Sequence, residues 1–327
     1  MKVLLTGAAG FIGYHVSEAL LARGDVVVGV DNLNAYYEVS LKTDRLKQLQ
    51  GRAGFAFERA DISDRETMAA VAVLHPDITH VVHLAAQAGV RHSLKDPYTY
   101  ITTNVMGQVV MLEIARGFRK LEHFVYASSS SVYGGNTKLP FSIEDETEQP
   151  NSLYAATKKA DELIGHTYAH LYGLPSTGLR FFTVYGPWGR PDMAAFLFVN
   201  AILNDQPISV FNNGEMWRDF TYVDDIVAGV LGALERKPAG KPPHAVYNLG
   251  NHKSEKLTDF IATIEAALDK KAQVRFEPMQ PGDVERTYAD IEASRRDLGF
   301  EPRVPISEGI PRFVKWYRDY YRVWPKN

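Results

Sequence analysis

Short apolar runs alternate with longer helix-like stretches through the first 180 residues. The apolar runs lie at residues 2–6, 25–30, 55–57, 80–84, 123–127 and 178–182. Runs of this length, with little polar alternation, are typical of strands buried on both faces of a parallel sheet. Because strand and helix alternate at least five times, the pattern predicts an α/β fold with a doubly wound parallel sheet of the Rossmann type.

After residue 180 the alternation loosens, and Pro, Gly, Trp and Asn become frequent. We therefore predict a first domain at residues 1–180 and a smaller, mixed α/β lobe at residues 181–327. Between the two we expect no clean linker, and residues 219–250 are expected to return toward the sheet.

Composition excludes several classes of function. The 327 residues are 45% hydrophobic and 23% charged, which is ordinary for a globular protein, and the formal net charge is -3. That charge provides no general attraction for nucleic acid or anionic membranes. Cysteine is absent, which excludes disulfides and thiolate chemistry, and no cluster has metal-ligand spacing. No apolar run reaches ~18 residues and the first strand begins at residue 2, so we expect no membrane span, no signal peptide and a cytoplasmic location.

Three glycines follow the first strand and precede a helical stretch. Gly7 allows a tight turn, Gly10 the approach of a pyrophosphate, and Gly13 close packing of the helix on the strand. The free amides at the helix start, from Phe11 and Ile12 onward, would face the anion. The second strand ends in Asp31, where an acid binds the adenosine ribose and repels a 2′-phosphate. This order predicts NAD rather than NADP, against the alternative of a purely structural loop.

Residues at the ends of the following strands are also expected near the dinucleotide. Asp61 would otherwise cap the helix at residues 65–74. Asn104 opens a helix running to Arg119, where it would either brace the active site or serve as a plain N-cap. We interpret His83 as a core histidine. The full set assigned to cofactor binding is Gly7, Gly10, Phe11, Ile12, Gly13, Asp31, Asn32, Lys42, Asp61, Ile62, Leu84, Ala85, Ala86, Gln87, Asn104, Tyr154 and Lys158.

Candidate catalytic groups follow the fifth strand. Four serines at residues 128–131 end that strand, and Tyr154 and Lys158 open a helical pattern to about Tyr172. Residues four apart share a helix face. A free phenol keeps its proton at neutral pH and so cannot act as a base, but a nearby ammonium stabilises the phenolate. A serine can hold the substrate oxygen in line. The three groups together predict proton transfer at an alcohol that also loses a hydride.

The Gly-x-x-Gly-x-x-Gly spacing, the Tyr-x-x-x-Lys pair and the upstream serine resemble the extended short-chain dehydrogenase/reductases. Residues 31–37, the four serines and residues 181–193 are similar to the UDP-glucuronate 4-epimerases. The resemblance to these enzymes extends over nearly the whole chain. The resemblance implies an NAD-binding domain at residues 1–180 and a nucleotide-sugar-binding lobe at residues 181–327. It also implies Ser129, Tyr154 and Lys158 as catalytic residues, NAD as cofactor, a UDP-sugar substrate and a homodimer.

Substrate-binding residues follow from the same resemblance. They are Arg91, Ser128, Ser129, Ser130, Thr183, Arg190, Arg218 and Asp283. Arg218 would meet the diphosphate and Asp283 the uridine ribose. Related dehydratases and decarboxylases carry acids after the catalytic hydroxyl, where this chain has Ser130 and Ser131, which favours epimerisation.

The sugar is predicted to be a uronic acid. A guanidinium grips a carboxylate with two bonds, and Arg190 is the predicted partner of the C6 carboxylate. We further hypothesise that Arg190, Thr183 and the extra serines hold that carboxylate out of the alignment that favours loss of CO2 from the 4-keto sugar. Three alternatives stay open: a 4-epimerase of UDP-glucose/galactose or a UDP-N-acetylhexosamine, an oxidoreductase or decarboxylase of the same fold, and a non-catalytic dinucleotide sensor.

Overall fold

The structure, a computed structural model, describes residues 1–280 and 282–324. Its strands are β1 (Lys2–Thr6), β2 (Val26–Asp31), β3 (Phe55–Arg59), β4 (His80–His83), β5 (His123–Ser129), β6 (Ser176–Phe181), β7 (Thr183–Tyr185), β8 (Ile208–Phe211), β9 (Trp217–Arg218), β10 (Phe220–Tyr222), β11 (His244–Leu249), β12 (Glu255–Lys256) and β13 (Val274–Glu277).

The α-helices are α1 (Phe11–Ala22), α2 (Val39–Gln50), α3 (Arg65–Leu74), α4 (Pro97–Tyr100), α5 (Gly107–Gly117), α6 (Leu153–Tyr172), α7 (Ala194–Leu203), α8 (Val223–Glu235), α9 (Leu257–Leu268), α10 (Glu292–Leu298) and α11 (Ile306–Tyr321). A π-helical segment, Ile101–Met106, joins α4 to α5 without a break. Short 3₁₀ turns occupy His92–Leu94, Ser130–Tyr133 and Asn212–Gly214.

One seven-stranded parallel sheet organises the fold. Its strand order is β11-β6-β5-β4-β1-β2-β3, so the chain reverses direction across the sheet between β1 and β4. Ligands of such sheets bind outside the carboxyl ends of the strands at this reversal. The predicted doubly wound parallel sheet is confirmed.

The second half of the chain contributes both a lobe and a strand of the sheet. β11 pairs in parallel with β6, from His244 opposite Ser176 to Leu249 opposite Phe181. Three two-stranded sheets, β10 with β7, β12 with β9 and β13 with β8, build the rest of the lobe. The division at residue 180 stays a prediction, although β11 does lie in the region expected to return to the sheet.

The sheet is buried on both faces, as its apolar strands require. Val3, Leu4 and Leu5 of β1 have no exposed surface, and one face packs on α1 and α8 while the other packs on α5 and α6. His83 is a core residue, as predicted: Thr6 Oγ1 lies 2.7 Å from its Nδ1. Burial, followed by the charge of Lys158, lowers the His83 pKa to about 3, so the ring is neutral.

Across the described residues, none of the helices is both long enough and apolar enough to cross a membrane. The cytoplasmic location stays a prediction.

Candidate active site

A cleft of about 1040 Å³ lies between the carboxyl ends of the sheet strands and the second lobe. It is the space that the strand reversal predicts for a ligand. Of the predicted residues, those lining it are Gly7, Gly10, Phe11, Ile12, Gly13, Asp31, Asn32, Lys42, Ile62, Leu84, Ala85, Ala86, Gln87, Arg91, Ser128, Ser129, Ser130, Tyr154, Lys158, Thr183, Arg190, Arg218 and Asp283. Asp61 and Asn104 do not line it.

The glycine loop leaves no room for side chains. A Cβ atom on Gly13 would lie 2.0 Å from the Gly7 oxygen, and one on Gly7, which has φ +75°, would lie 2.9 Å from Ala85 N. Gly13 therefore packs the start of α1 against the loop, where we had expected contact with the strand. The amides of Phe11, Ile12 and Gly13 have no acceptor in the part of the chain that the structure describes, so they can bind an anion.

Asp31 ends β2 beside this loop. Its Oδ2 accepts from Ala9 N at 3.1 Å and its Oδ1 from Leu33 N at 2.9 Å, so the carboxylate is fixed against the glycine turn. Burial raises the Asp31 pKa, against the lowering effect of the Leu33 amide. Lys42 Nζ donates to both the backbone and the side-chain oxygen of Asn34 at 2.8 Å, which ties α2 to the loop after β2.

Asp61 lies behind the cleft wall. Its carboxylate accepts from Ser63 N, Ser63 Oγ and Asn32 Nδ2, at 2.9, 2.7 and 2.9 Å. It orients Asn32, which does line the cleft. The alternative interpretation of Asp61 as a helix cap is wrong, because Asp64 accepts from the first amides of α3.

Asn104 also acts from behind the wall. Its Oδ1 accepts from Gln87 N at 2.8 Å, while its Nδ2 donates to Gln87 O and Thr157 Oγ1, both at 3.0 Å. These bonds join the loop after β4 to helix α6, which carries the predicted catalytic pair. Asn104 lies inside the π-helical segment, so it is not a helix cap, and its bonds to Gln87 and Thr157 support the alternative of a brace, which stays a prediction.

Helix α6 positions the predicted catalytic pair. Ser152 Oγ caps it by accepting from Ala155 N, and the helix ends at Gly173, whose φ of 65° is left-handed. Tyr154 and Lys158 both reach the cleft. Lys158 is 5% exposed, and its Nζ donates to Ala127 O at 2.9 Å and to Asp161 Oδ2 at 3.0 Å. The ammonium is thereby held between the end of β5 and its own helix.

The serines after β5 divide into two roles. Ser129 Oγ accepts from Ser131 N at 3.2 Å and from Ser131 Oγ at 2.9 Å, which leaves its own hydrogen for a ligand. Ser128 Oγ instead donates to buried Glu162 Oε1 at 2.6 Å. A substrate contact from Ser128 stays a prediction, and its hydrogen is already used.

A buried network of charged and polar side chains supports the end of β5 that carries Ser128 and Ser129. Arg180 of β6 donates from Nε and Nη2 to the two oxygens of Glu162, at 2.8 and 2.9 Å, and from Nη1 to Tyr133 OH at 3.0 Å. Tyr133 OH in turn donates to Asn248 Oδ1 at 2.7 Å. The network links α6, β6 and β11 directly beneath Ser128.

Arg190 lies across the cleft and already has a partner. Its Nε donates to Asp192 Oδ1 at 3.0 Å and its Nη2 to Asp192 Oδ2 at 2.5 Å. Tyr36 OH, from the loop after β2, donates to Asp192 Oδ2 at 3.2 Å. Burial, followed by the charge of Asp192, raises the Tyr36 pKa to about 12. The predicted two-bond grip of a sugar carboxylate cannot use the Nε edge of Arg190 while Asp192 occupies it.

Two arginines and one acid lie at another part of the cleft. Arg91 Nη2 donates to Asp283 Oδ2 at 3.2 Å, and its guanidinium stacks 4.8 Å from the Phe211 ring centroid. Arg218 Nη1 donates to the backbone oxygens of Trp217 and Glu285, at 2.9 and 3.1 Å. This cluster offers cations for a diphosphate.

A family model described as "NAD dependent epimerase/dehydratase family" matches residues 3–250. The chain belongs to this family. The resemblance stated from the sequence is confirmed, and the glycine loop, Tyr154, Lys158 and Arg190 all lie within the matched residues.

Relatives and solved structures narrow the similarity. "Protein CapI" of Staphylococcus aureus is 49% identical over 98% of this chain and 100% of its own. "UDP-glucuronate 4-epimerase 2" of Arabidopsis thaliana is 48% identical over 98% of this chain and 77% of its own. The UDP-glucuronic acid 4-epimerase of Bacillus cereus, solved with UDP-glucuronic acid and NAD, matches with a TM-score of 0.91 and 36% identity, covering 98% of this chain and 100% of that one.

Several site residues were not predicted. Asp192 and Tyr36 lie in segments that we had singled out. Their role depends on the hydrogen bond between them, which the sequence does not show. Thr157 lies between Tyr154 and Lys158 on α6 and gives no separate signal. Asp161 and Glu162 could have been found, because acids three and four residues after the lysine share its helix face.

Proposed function

We propose that this protein catalyses the reversible C4 epimerisation of UDP-glucuronate to UDP-galacturonate through a transient 4-keto sugar, with NAD as cofactor. The observation that carries the proposal is a single cleft lined by the glycine loop, by Ser129, Tyr154 and Lys158, and by Arg190. Residues 130 and 131 are serines, so no acid follows the catalytic hydroxyl to promote elimination.

The glycine loop and its surroundings fit a dinucleotide. The free amides at the start of α1 suit a pyrophosphate, and Asp31 suits ribose hydroxyls. When bound, NAD supplies the hydride acceptor and donor for C4. An acid at residue 31 disfavours a 2′-phosphate, which supports NAD over NADP.

The residues of this chain move the proton. Tyr154, as a phenolate stabilised by the Lys158 ammonium, takes the proton of the C4 hydroxyl and later returns it to the C4 oxygen. The Ser129 hydroxyl donates to the C4 oxygen. Inversion requires the keto sugar to present its other face, so Arg91, Arg218 and Asp283 would hold the nucleotide while the sugar turns.

Arg190 is proposed to bind the C6 carboxylate. Its Nη1 has no acceptor within residues 1–280 and 282–324, so its outer edge is available. With Thr183 and Ser130, it would keep the carboxylate bond out of alignment with the C4 ketone and so suppress loss of CO2. UDP-glucuronate is therefore favoured over UDP-glucose, although one structural neighbour is a UDP-glucose 4-epimerase of Thermotoga maritima, with a TM-score of 0.88 and 31% identity.

The deciding experiment incubates the purified protein with UDP-glucuronate, UDP-glucose and UDP-N-acetylglucosamine separately and resolves the products. We expect UDP-galacturonate from the first and no NADH accumulation. Conversion of a neutral sugar alone would replace the proposed substrate, and NADH in proportion to product would indicate a net oxidoreductase.

Tyr154→Phe is the matched catalytic control. Removing the phenolic oxygen removes the proton acceptor while keeping the ring that packs edge-on against Tyr100. We expect at least about a 10²-fold loss of kcat, from the usual contribution of a general base, with little change in UDP-glucuronate affinity. Unchanged turnover would contradict the assigned base.

We also propose that the protein is a homodimer. Large apolar side chains are exposed on two neighbouring helical regions: Tyr98, Ile101 and Met106 on the segment from α4 to α5, and Leu163, Leu171 and Tyr172 on α6. Large exposed apolar side chains on neighbouring helices are typical of a subunit interface.

Light scattering on wild type and Leu163→Asp tests the interface. We expect a dimer for the wild type and a monomer for the variant, because a charge would be buried in the contact. Val274→Asp, an equally drastic change at an exposed position in the second lobe, should stay dimeric. A monomeric wild-type protein would refute the proposal.

A further inference from the structure

Asp192 occupies one edge of the Arg190 guanidinium and leaves the other edge open. Both carboxylate oxygens are used, one on Nε at 3.0 Å and one on Nη2 at 2.5 Å. The Arg190 and Asp192 side chains are 20% and 33% exposed, so the pair lies in the cleft wall. A guanidinium has two edges that can each bind a carboxylate. The Nη1 edge is therefore the one that can receive a ligand.

Tyr36 also holds the Asp192 carboxylate in place. Its hydroxyl donates to Asp192 Oδ2 at 3.2 Å, and its ring packs edge-on against His92 with centroids 5.0 Å apart. The Tyr36 hydroxyl also fills the space above Gly89, where a Cβ atom would lie 2.8 Å from it. Tyr36 is thus held by its neighbours and not only by Asp192.

The backbone just before Arg190 is fastened as well. Fully buried Arg45 donates from Nη2 to Trp188 O at 2.7 Å and to Gly189 O at 3.3 Å, and from Nη1 to Ala9 O at 2.9 Å. The main chain at residues 188–189 is therefore anchored to the glycine loop. With its backbone anchored, the Arg190 guanidinium is directed by its two bonds to Asp192 and by the Tyr36 ring, whose centroid lies 5.9 Å from Arg190 Cζ.

We propose that Asp192 is a positioning residue that presents the outer edge of Arg190 to a sugar carboxylate, and that this makes the site select uronic acids over neutral hexoses. The inference rests on the proposed function. An arginine side chain free to rotate would lose that freedom on binding the carboxylate, whereas the Asp192 pair has already ordered it. Asp192 also repels an incoming carboxylate. Replacing Asp192 with asparagine removes this repulsion and weakens the positioning of Arg190, so the direction of the change in affinity shows which effect is larger.

The test measures dissociation constants of UDP-glucuronate, UDP-glucose and UDP for the NAD-loaded protein. Every variant is built on a Tyr154→Phe background, which slows turnover at least about 10²-fold. We expect Asp192→Asn to weaken UDP-glucuronate about tenfold, ~1.4 kcal/mol, and to change UDP-glucose and UDP by less than about twofold. Tyr36→Phe should weaken UDP-glucuronate about threefold.

The chain contains a matched control. Arg296 donates from Nε and Nη2 to the two oxygens of Asp297, at 2.7 and 2.9 Å, and Tyr247 OH donates to Asp297 Oδ2 at 3.2 Å. This group has the same geometry but does not line the cleft. Asp297→Asn should leave all three dissociation constants unchanged.

Each remaining outcome overturns a specific statement. Unchanged or tighter UDP-glucuronate binding by Asp192→Asn would show that repulsion outweighs positioning and would refute the proposal. Equal weakening of all three ligands would indicate a general structural role, also against it. If the parent protein with Asp192 intact bound UDP-glucuronate no better than UDP-glucose, the assigned sugar itself would be wrong, whatever the variant did.

Discussion

Arg180 with Glu162 and Arg190 with Asp192 are the same chemical pair in two settings. Each guanidinium donates from Nε and Nη2 to both oxygens of one carboxylate. Arg180 and Glu162 are each 4% exposed, and the third arginine nitrogen is used by Tyr133. In the cleft-wall pair, the third nitrogen faces no acceptor among the described residues. What the remaining edge meets therefore decides whether such a pair supports the fold or binds a ligand.

The energetic consequences should differ accordingly. A buried ion pair is tolerated only when nearly all hydrogen-bonding groups of its two side chains have partners. Removing one member of such a pair therefore leaves a buried charge uncompensated. A partly exposed pair keeps water as a substitute partner, and its loss affects stability little. Stability measurements should respond to the first pair and substrate measurements to the second.

Glu162→Gln should have the largest effect on folding. The substitution leaves Arg180 buried without its counter-ion and changes the acceptor of Ser128. We expect the free energy of unfolding to fall by about 3–5 kcal/mol, measured by urea denaturation. A loss below about 1 kcal/mol would mean that the two pairs do not differ in the way described.

Arg190→Lys should lower turnover of UDP-glucuronate and leave the free energy of unfolding nearly unchanged, the opposite of what we expect for folding in Glu162→Gln. Lysine keeps the charge but not the planar edge, so we expect kcat/KM for UDP-glucuronate to fall about 10- to 100-fold, from the 1.5–3 kcal/mol of a charge-assisted bond. The free energy of unfolding should change by less than about 1 kcal/mol. A large loss of stability with normal turnover would place this arginine with Arg180 instead.

Lowering the pH should change the stability contributions of the two pairs differently, with a smaller effect than the two substitutions above. Burial alone would raise the pKa of Glu162 and of Asp192, but the arginine partners lower both pKa values below the ordinary range. A lowered folded-state pKa contributes stability above the unfolded-state value near ~4, and this contribution disappears as the pH falls further. Between pH 6 and 3, the stability gap between wild type and Glu162→Gln should shrink more than the gap for Asp192→Asn. Equal shrinkage would contradict the difference in burial.

Lys159→Gln should have the smallest effect. Its Nζ lies 3.7 Å from Glu162 Oε2 and the side chain is 25% exposed, so it adds only a peripheral contact to the closed pair. We expect the free energy of unfolding to change by less than about 1 kcal/mol. A larger loss in urea denaturation would show that the Glu162 charge depends on more than Arg180.

Much of the sheet could be predicted because its strands carry their own signal. The buried runs at β1, β4 and β5 are apolar and short, and they match the structure within one or two residues. The helix before Asn104 was missed, although Asp96 caps α4 and Pro97 occupies its first turn, which is a recognised start signal. The π-helical continuation has no comparable sequence pattern.

The site was predictable where chemistry follows a strand end and not where it depends on contact across the cleft. The glycine loop, Ser129, Tyr154 and Lys158 come from local order along the chain. Asp192 lies two residues from Arg190 in sequence, but its partner Tyr36 is 156 residues away. The roles of such residues follow only from the way the two halves close on each other.

Strand β11 has a consequence for how this protein can be divided. The first half supplies the glycine loop and α6, the helix of the proposed catalytic pair, yet β6 completes its hydrogen bonding only with residues 244–249. A chain stopped at residue 180 would display a bare strand edge inviting aggregation, and Tyr133 would lose Asn248. Recombination between relatives should therefore exchange residues 176–249 as one block.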